Sequence, residues 1–191
     1  LHLCHHNLEN ISDYNSTNAK DNLLLEVCMA AYYEGDSINT PYPKHKQIYG
    51  DSASEMCTML ARSFADIGDI VRGKDLYLGK RKKKKQTERD QLEGKLQSFF
   101  KNIHDNLDHS IKSKYNDDAK ENYYQLREDW WTANRHTVWK AITCNAQGFD
   151  YFRHTCGDVK SPTPTPNKCR CDDNPNTDPP TYFDYVPQYL R

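Results

Sequence analysis

Nowhere in the 191 residues is there a run of about 18 apolar residues; the nearest approach, Leu23 to Ala31, is short and carries Glu26. A membrane-spanning helix is therefore not expected, and neither is a secretory leader. Phosphate-cradling glycine loops, Gly-x-Ser-x-Gly and His-Glu-x-x-His are also missing. The carboxylates are scattered as helix-surface and capping residues, so the chain does not read as an enzyme or imply a cofactor. No internal repeat occurs. Apolar residues are scarce, at 36%, which leaves a thin core that needs other support.

What is present supplies that support. Seven cysteines, Cys4, Cys28, Cys57, Cys144, Cys156, Cys169 and Cys171, without metal-site spacing, point to disulfides formed in an oxidising compartment. Seven is odd, so about one free thiol is expected, and sequence alone does not fix the pairing. Thirteen tyrosines can each bury a ring while keeping the hydroxyl on a partner or on water. Net charge is only −1, but it is unevenly placed: residues 1–56 hold eight acids against three lysines, whereas residues 80–112 hold ten cations against five acids. Such polarity suits an anionic partner at one end of the molecule.

Residues 1–19 read as an irregular, asparagine-rich entry with sequons at Asn10 and Asn15, followed by a helix over 20–33 and a loop over 35–50. Asp51 or Ser52 can cap a helix carrying Met56, Leu60, Phe64, Ile67 and Val71 at spacings of three and four, ending near Gly73. A second helix is predicted from about Glu88 to Ser113, with the stripe Leu92, Leu96, Phe99, Ile103, Leu107 and Ile111. A third, starting at Asn116 or Asp117, runs through Tyr123, Leu126, Trp130, Val138 and Ile142 to Cys144. All three tryptophans lie on it. Residues one apart face about 100° apart, so Trp130 and Trp139 are assigned to the core and Trp131 to the surface. The proline-rich tail from Gly157 to Pro180 has no helical pattern and is expected to be held by its cysteines. The fold class is mainly α: a disulfide-stapled helical bundle with long irregular loops.

Two constellations invite a site. Lys80, Arg81, Lys82, Lys83, Lys84 and Lys85 place six cations in succession, and Lys95, Lys101 and Lys112 could extend the patch, with Asp105 and Asp108 diluting it. Such a run attracts sulphated or sialylated glycan, phospholipid or nucleic acid, or remains a solvated loop. His154, Cys156, Cys169 and Cys171 could be drawn as zinc ligands, but Cys169-Arg170-Cys171 has one spacer and fits disulfides better. His5 and His6 are taken as surface residues, and no metal is assigned.

Four strings carry a resemblance: Leu60 to Gly73 (LARSFADIGDIVRG), Leu126 to Cys144 (LREDWWTANRHTVWKAITC), Tyr151 to Cys156 (YFRHTC) and Asp184 to Arg191 (DYVPQYLR). The chain resembles the alpha-class Duffy-binding-like adhesion domain of the variant erythrocyte surface antigens of malaria parasites. Tyr189 stands where that family usually carries Phe, and His5-His6 where an acidic or aromatic pair is common. The resemblance implies the end of a first, loop-rich subdomain over 1–50 and a central helical-bundle subdomain with a Cys/Pro-rich tail over 51–191. It also implies exposure on infected red cells, within a parent protein anchored in the membrane elsewhere. The implied partners are erythrocyte or endothelial receptors, above all blood-group sugar or heparan-sulphate-like chains engaged in rosetting, together with antibodies. Two rivals are an intracellular nucleic-acid-binding protein with a basic clamp and a Cys/His zinc site, and a structural spacer.

Overall fold

The computed structural model describes residues 18–40, 54–75, 88–115, 122–148, 153–165, 168–172 and 178–191. The basic run 80–85, Cys4, the histidine pair, both sequons and the predicted starts at 51–52 and 116–117 lie outside them. Four long helices dominate: α1 (Ala19–Asn39), α2 (Ser54–Arg72), α3 (Glu88–Asp105) and α4 (Tyr124–Ile142). The predicted stripes are the reason they pack. Met56, Leu60, Phe64, Ile67 and Val71 of α2 and Leu92, Leu96, Phe99 and Ile103 of α3 are all buried in a single core. Leu23, Val27, Ala30 and Ala31 of α1 enter the same core and pack chiefly against α4.

Three departures from the sequence reading have local causes. Helix α1 does not stop before Gly35 but runs on to Asn39, because Gly35 is where α1 meets the end of α4. A Cβ at Gly35 would stand 2.0 Å from the Ile142 carbonyl oxygen, so the missing side chain serves close approach and not a turn. The second predicted helix ends at Asp105, short of Ser113, and the chain resumes in a helical turn, His109–Lys112, and a 3-10 turn, Ser113–Tyr115. Here Nδ2 of Asn106 bonds the Asn102 carbonyl and side chain at 2.9 and 2.7 Å, a local competitor to helix continuation. Ile111 is left exposed. Helix α4 begins at Tyr124, preceded by Tyr123 in the left-handed region at φ 57°.

The third tryptophan is also placed differently. Trp131 is fully buried, beside the buried Trp130 and Trp139, because α2 and the chain's last segment together cover the face that helical periodicity alone leaves open: a Cβ at Gly68 would stand 2.7 Å from the Trp131 ring, and Asp184 accepts from its Nε1. Phe64 of α2 meets the Trp131 and Trp139 rings at centroid distances of 5.1 and 5.2 Å.

The tail is built in two parts. Cys156–Asp158 (β1) and Ser161–Thr163 (β2) form an antiparallel hairpin pairing Cys156 with Thr163, with Gly157 at φ 86°. Disulfides Cys57–Cys169 and Cys156–Cys171 staple this part to α2 and to itself. Sulfur is not its only anchor: Trp139 Nε1 donates to the Cys169 carbonyl at 3.1 Å, and Arg170 donates to Thr143 Oγ1 and the Lys140 carbonyl at 2.6 and 2.9 Å. The second part, 178–191, carries the 3-10 turns Phe183–Tyr185 and Gln188–Leu190 and no cysteine.

Candidate functional site

Of the predicted glycan contacts, Lys95, Lys101 and Lys112 lie on or just beyond α3. Lys101 pairs with Asp105 at 3.2 Å and Lys112 approaches the other oxygen of the same carboxylate at 3.7 Å. The structure thus gathers these two lysines around one acid, as the dilution argument anticipated. Burial works against the Asp105 charge, but the hydrogen bond and attraction of Lys101, with Lys112 and His104, together outweigh it and hold the carboxyl below its ordinary pKa.

The seven candidate cysteines divide. Cys57, Cys156, Cys169 and Cys171 are bridged, so the zinc-site rival loses the thiolates it needs; among the described residues no cluster of His, Cys, Asp and Glu could hold a metal. Cys28 and Cys144 are free thiols, correcting the expectation that all but about one of the cysteines pair. Burial pushes the Cys28 thiol up to about 11, whereas Cys144 is exposed.

Sequence reasoning missed a group of buried arginines. Arg127 of α4 donates from Nε to the Val71 carbonyl at 2.6 Å and from Nη2 to the Ile70 carbonyl at 3.2 Å, in the last turn of α2, where the Ile70 oxygen also accepts from the Gly73 N–H at 3.1 Å. Its other face grips Glu93 of α3 bidentately, at 2.6 and 3.0 Å. Arg72 of α2 reaches Glu128 and Asp69, each at 3.0 Å, and the Asp184 carbonyl. Arg135 of α4 holds the Asp184 carboxylate bidentately at 2.8 and 2.9 Å and the Thr181 carbonyl at 2.8 Å, while Trp131 Nε1 donates to Asp184 at 2.9 Å. Arg191 closes the set on Asp66 at 3.1 Å, on Asp69 and on the Phe183 carbonyl.

Four of these groups, Arg135, Asp66, Asp69 and Glu128, are perturbed for traceable reasons. Burial works against the Arg135 charge, but the hydrogen bonds and attraction of Asp184 outweigh it, raising that guanidinium above its ordinary value. Burial also dominates at Asp66 and Asp69, lifting both carboxyls despite Arg191. At Glu128 burial is outweighed by Lys74 and Arg72, and the carboxyl falls. This network accounts for two of the strings quoted above: Leu60–Gly73 supplies Asp66, Asp69 and Arg72, and Asp184–Arg191 supplies their partners. These strings clamp the tail onto the bundle. The available sequence signal was arginine on helix positions otherwise facing the core, such as Arg127 beside Leu126.

Outside the clamp the tail presents Tyr182, Tyr185, Tyr189 and Leu190 to solvent. A cleft of about 260 Å³ opens between it and the end of α2, lined by Lys74, Tyr185, Pro187, Gln188 and Tyr189 among others. Arg72 and Arg135 guanidiniums sit 5.5 and 5.2 Å from the Tyr185 ring, so this aromatic is held from beneath by buried cations. The arrangement offers a contact surface held by buried ion pairs.

Comparison with known proteins gives a consistent result. No curated protein matches. Among solved structures, the chain is similar to the NTS-DBL1(alpha-1) domain of Plasmodium falciparum membrane protein 1 from the varO strain, with 38% identity and a TM-score of 0.76 over 99% of this chain and 40% of that one. It is similar to the DBL1-alpha and CIDR-gamma double domain of the varO protein at 39% identity and a TM-score of 0.75, covering 99% of this chain and 25% of that one. The ICAM-1-binding IT4var13 DBLbeta domain aligns at 32% identity and a TM-score of 0.68, again over 99% of this chain and 39% of that one. The chain thus spans less than half the length of these relatives. A family model described as the Duffy binding domain matches residues 1–191, end to end, and with these whole-chain likenesses it establishes that the chain belongs to the Duffy-binding domain family.

Proposed function

We propose that this chain is a non-enzymatic host-cell adhesion module of a variant antigen displayed extracellularly on infected erythrocytes, its parent anchored in the membrane elsewhere. Family membership carries the reading. The stapled bundle supports it: disulfides and buried ion pairs fix the scaffold, leaving polar loops free to vary. In this reading 1–50 closes a loop-rich subdomain and 51–191 forms the central helical one, with α1 lending its inner face to the second.

The receptor class we propose is an anionic or blood-group glycan, engaged by Lys80–Lys85 with Lys95, Lys101 and Lys112. The attraction would be polyelectrolyte in kind, falling steeply with salt by analogy with nucleic acid. Replacing 80–85 with Ser/Gly and measuring heparin retention against salt is the test. Lost retention and a flatter salt dependence are expected; unchanged retention would remove the site.

A protein receptor is the second reading, favoured because similar DBLbeta domains are ICAM-1-binding or bound to human ICAM-1. Exposed tyrosines on rigid supports suit such contacts. Under this reading Tyr189→Ala weakens binding of cells or ICAM-1 while heparin retention is unaffected.

A further inference from the structure

A free thiol shares the end of α4 with the cysteines of both disulfides. Residues 169–171 lie along the last turn of that helix: Trp139 Nε1 donates to the Cys169 carbonyl at 3.1 Å, and Arg170 donates to the Lys140 carbonyl and to Thr143 Oγ1 at 2.9 and 2.6 Å. Cys144 is the residue after Thr143, in the tight turn that closes α4, where its N–H bonds the Ala141 carbonyl at 3.2 Å. Its thiol is free and exposed, whereas the sulfurs on either side of Arg170 are bridged, Cys169 to Cys57 and Cys171 to Cys156. The two bridges differ in access. Cys57 and Cys169 are fully buried and Cys156 is 5% exposed, but Cys171 is only half-buried. Of the four bridged sulfurs it is the one an attacking group can reach.

We propose that Cys144 is the resident nucleophile of a thiol–disulfide exchange that moves the hairpin's bridge from Cys156–Cys171 to Cys144–Cys171. The thiolate is the attacking species, and it approaches Cys171 Sγ from the side opposite Cys156. The Cys144–Cys171 bond forms as the Cys156–Cys171 bond breaks, and the electron pair leaves on Cys156 Sγ. That new thiolate takes up a proton in place of the one Cys144 gave to solvent. One disulfide is lost and one gained, so the step consumes neither oxidant nor reductant. Its consequence is a change of shape. Strand β1 is cut loose from residues 169–171, which become tied to the end of α4 by sulfur as well as by Arg170. The buried Cys57–Cys169 bridge is out of reach and stays closed, so the hairpin is released while the tail remains fastened to α2. The inference does not rest on the adhesion reading.

Disulfide mapping tests the exchange directly. The complete domain is held at pH 8 without reductant, quenched with acid, trapped with N-ethylmaleimide and digested unreduced, and its linked peptides are identified by mass spectrometry. A Cys144–Cys171 linkage together with maleimide on Cys156 is expected in at least about 1% of molecules, inside the range of a populated minor state. That fraction should rise with time to a plateau and be unchanged by dilution, since attacker and target belong to one chain. Cys144→Ser, a substitution at an exposed position, should leave Cys156 unlabelled. Native bridges alone with label on Cys144 overturn the proposal, and so does Cys144 found bridged to a cysteine outside these residues. Label on Cys156 that persists in Cys144→Ser overturns the assignment of the nucleophile, and a fraction that falls on dilution overturns exchange within one chain.

Discussion

The two halves of the tail solve one problem by different chemistry. The described residues between 153 and 172 and those of 178–191 form no α-helix, and both must be tied to the helices. The first half uses covalent sulfur, Cys57–Cys169 to α2 and Cys156–Cys171 within itself. The second has no cysteine and relies on Asp184 and Arg191 entering a set of buried arginines and aspartates. A disulfide acts largely by restricting the unfolded chain, so it tolerates a polar, thinly packed neighbourhood. A buried ion pair acts only in the native state and only when every partner is present, because a stranded charge is costly. The hairpin side can therefore expose most of its residues, with Val159 at its tip, while the strap side must seat Asp184 and cover Trp131 completely.

The largest expected effect comes from the staple between the halves and the bundle. Cys57 and Cys169 are 112 residues apart, and Cys57→Ala with Cys169→Ala should cost about 4 to 5 kcal/mol on the loop-entropy estimate, read as a fall in denaturation midpoint. Asp184→Ala should cost about 3 to 5 kcal/mol, since it leaves the Arg135 guanidinium buried without its bidentate partner and Trp131 Nε1 without an acceptor. Limited proteolysis separates the two mechanisms. Reductant should open cleavage around Lys160 while the strap stays protected; Asp184→Ala should open cleavage at Tyr182 and Tyr185 under oxidising conditions. If reductant alone frees the strap, the two anchors are not independent. Removing Cys156–Cys171, which spans 15 residues, should cost less, about 3 kcal/mol, with the effect confined to the hairpin.

Legibility in the sequence follows the same division. The helices α2 and α3 were readable because their stripes are local, a matter of spacing within one segment. The same periodicity failed at Trp131, since what buries that ring is tertiary: Gly68 and Phe64 of α2 lie against it, and Asp184, 53 residues further on, takes its Nε1. It failed at Gly35 for a similar reason: a glycine that admits a neighbouring carbonyl looks, in sequence, like one that ends a helix. Pairing of Cys57 with Cys169 is a tertiary fact. The clamp arginines carried only a faint signal, arginine next to core positions, whereas the basic run advertised itself and lies outside the described residues. Charge runs are conspicuous because they are contiguous, whereas a network drawn from Arg72, Arg127, Arg135 and Arg191 is assembled only by folding.

The smallest effect concerns the sulfurs that neither half of the tail uses. Cys28 has its thiol pushed up to about 11 by burial, so at pH 8 roughly one molecule in a thousand carries the reactive thiolate there. Cys144 lies exposed just past the end of α4. Iodoacetamide at pH 8 should therefore modify Cys144 first and Cys28 only on unfolding, with no change in the denaturation midpoint when Cys144→Ser is made. The measurement is peptide mapping of alkylated sites against time. Early modification of Cys28 would mean that α1 opens readily, placing the weak point of the bundle in a helix that neither tail disulfide joins.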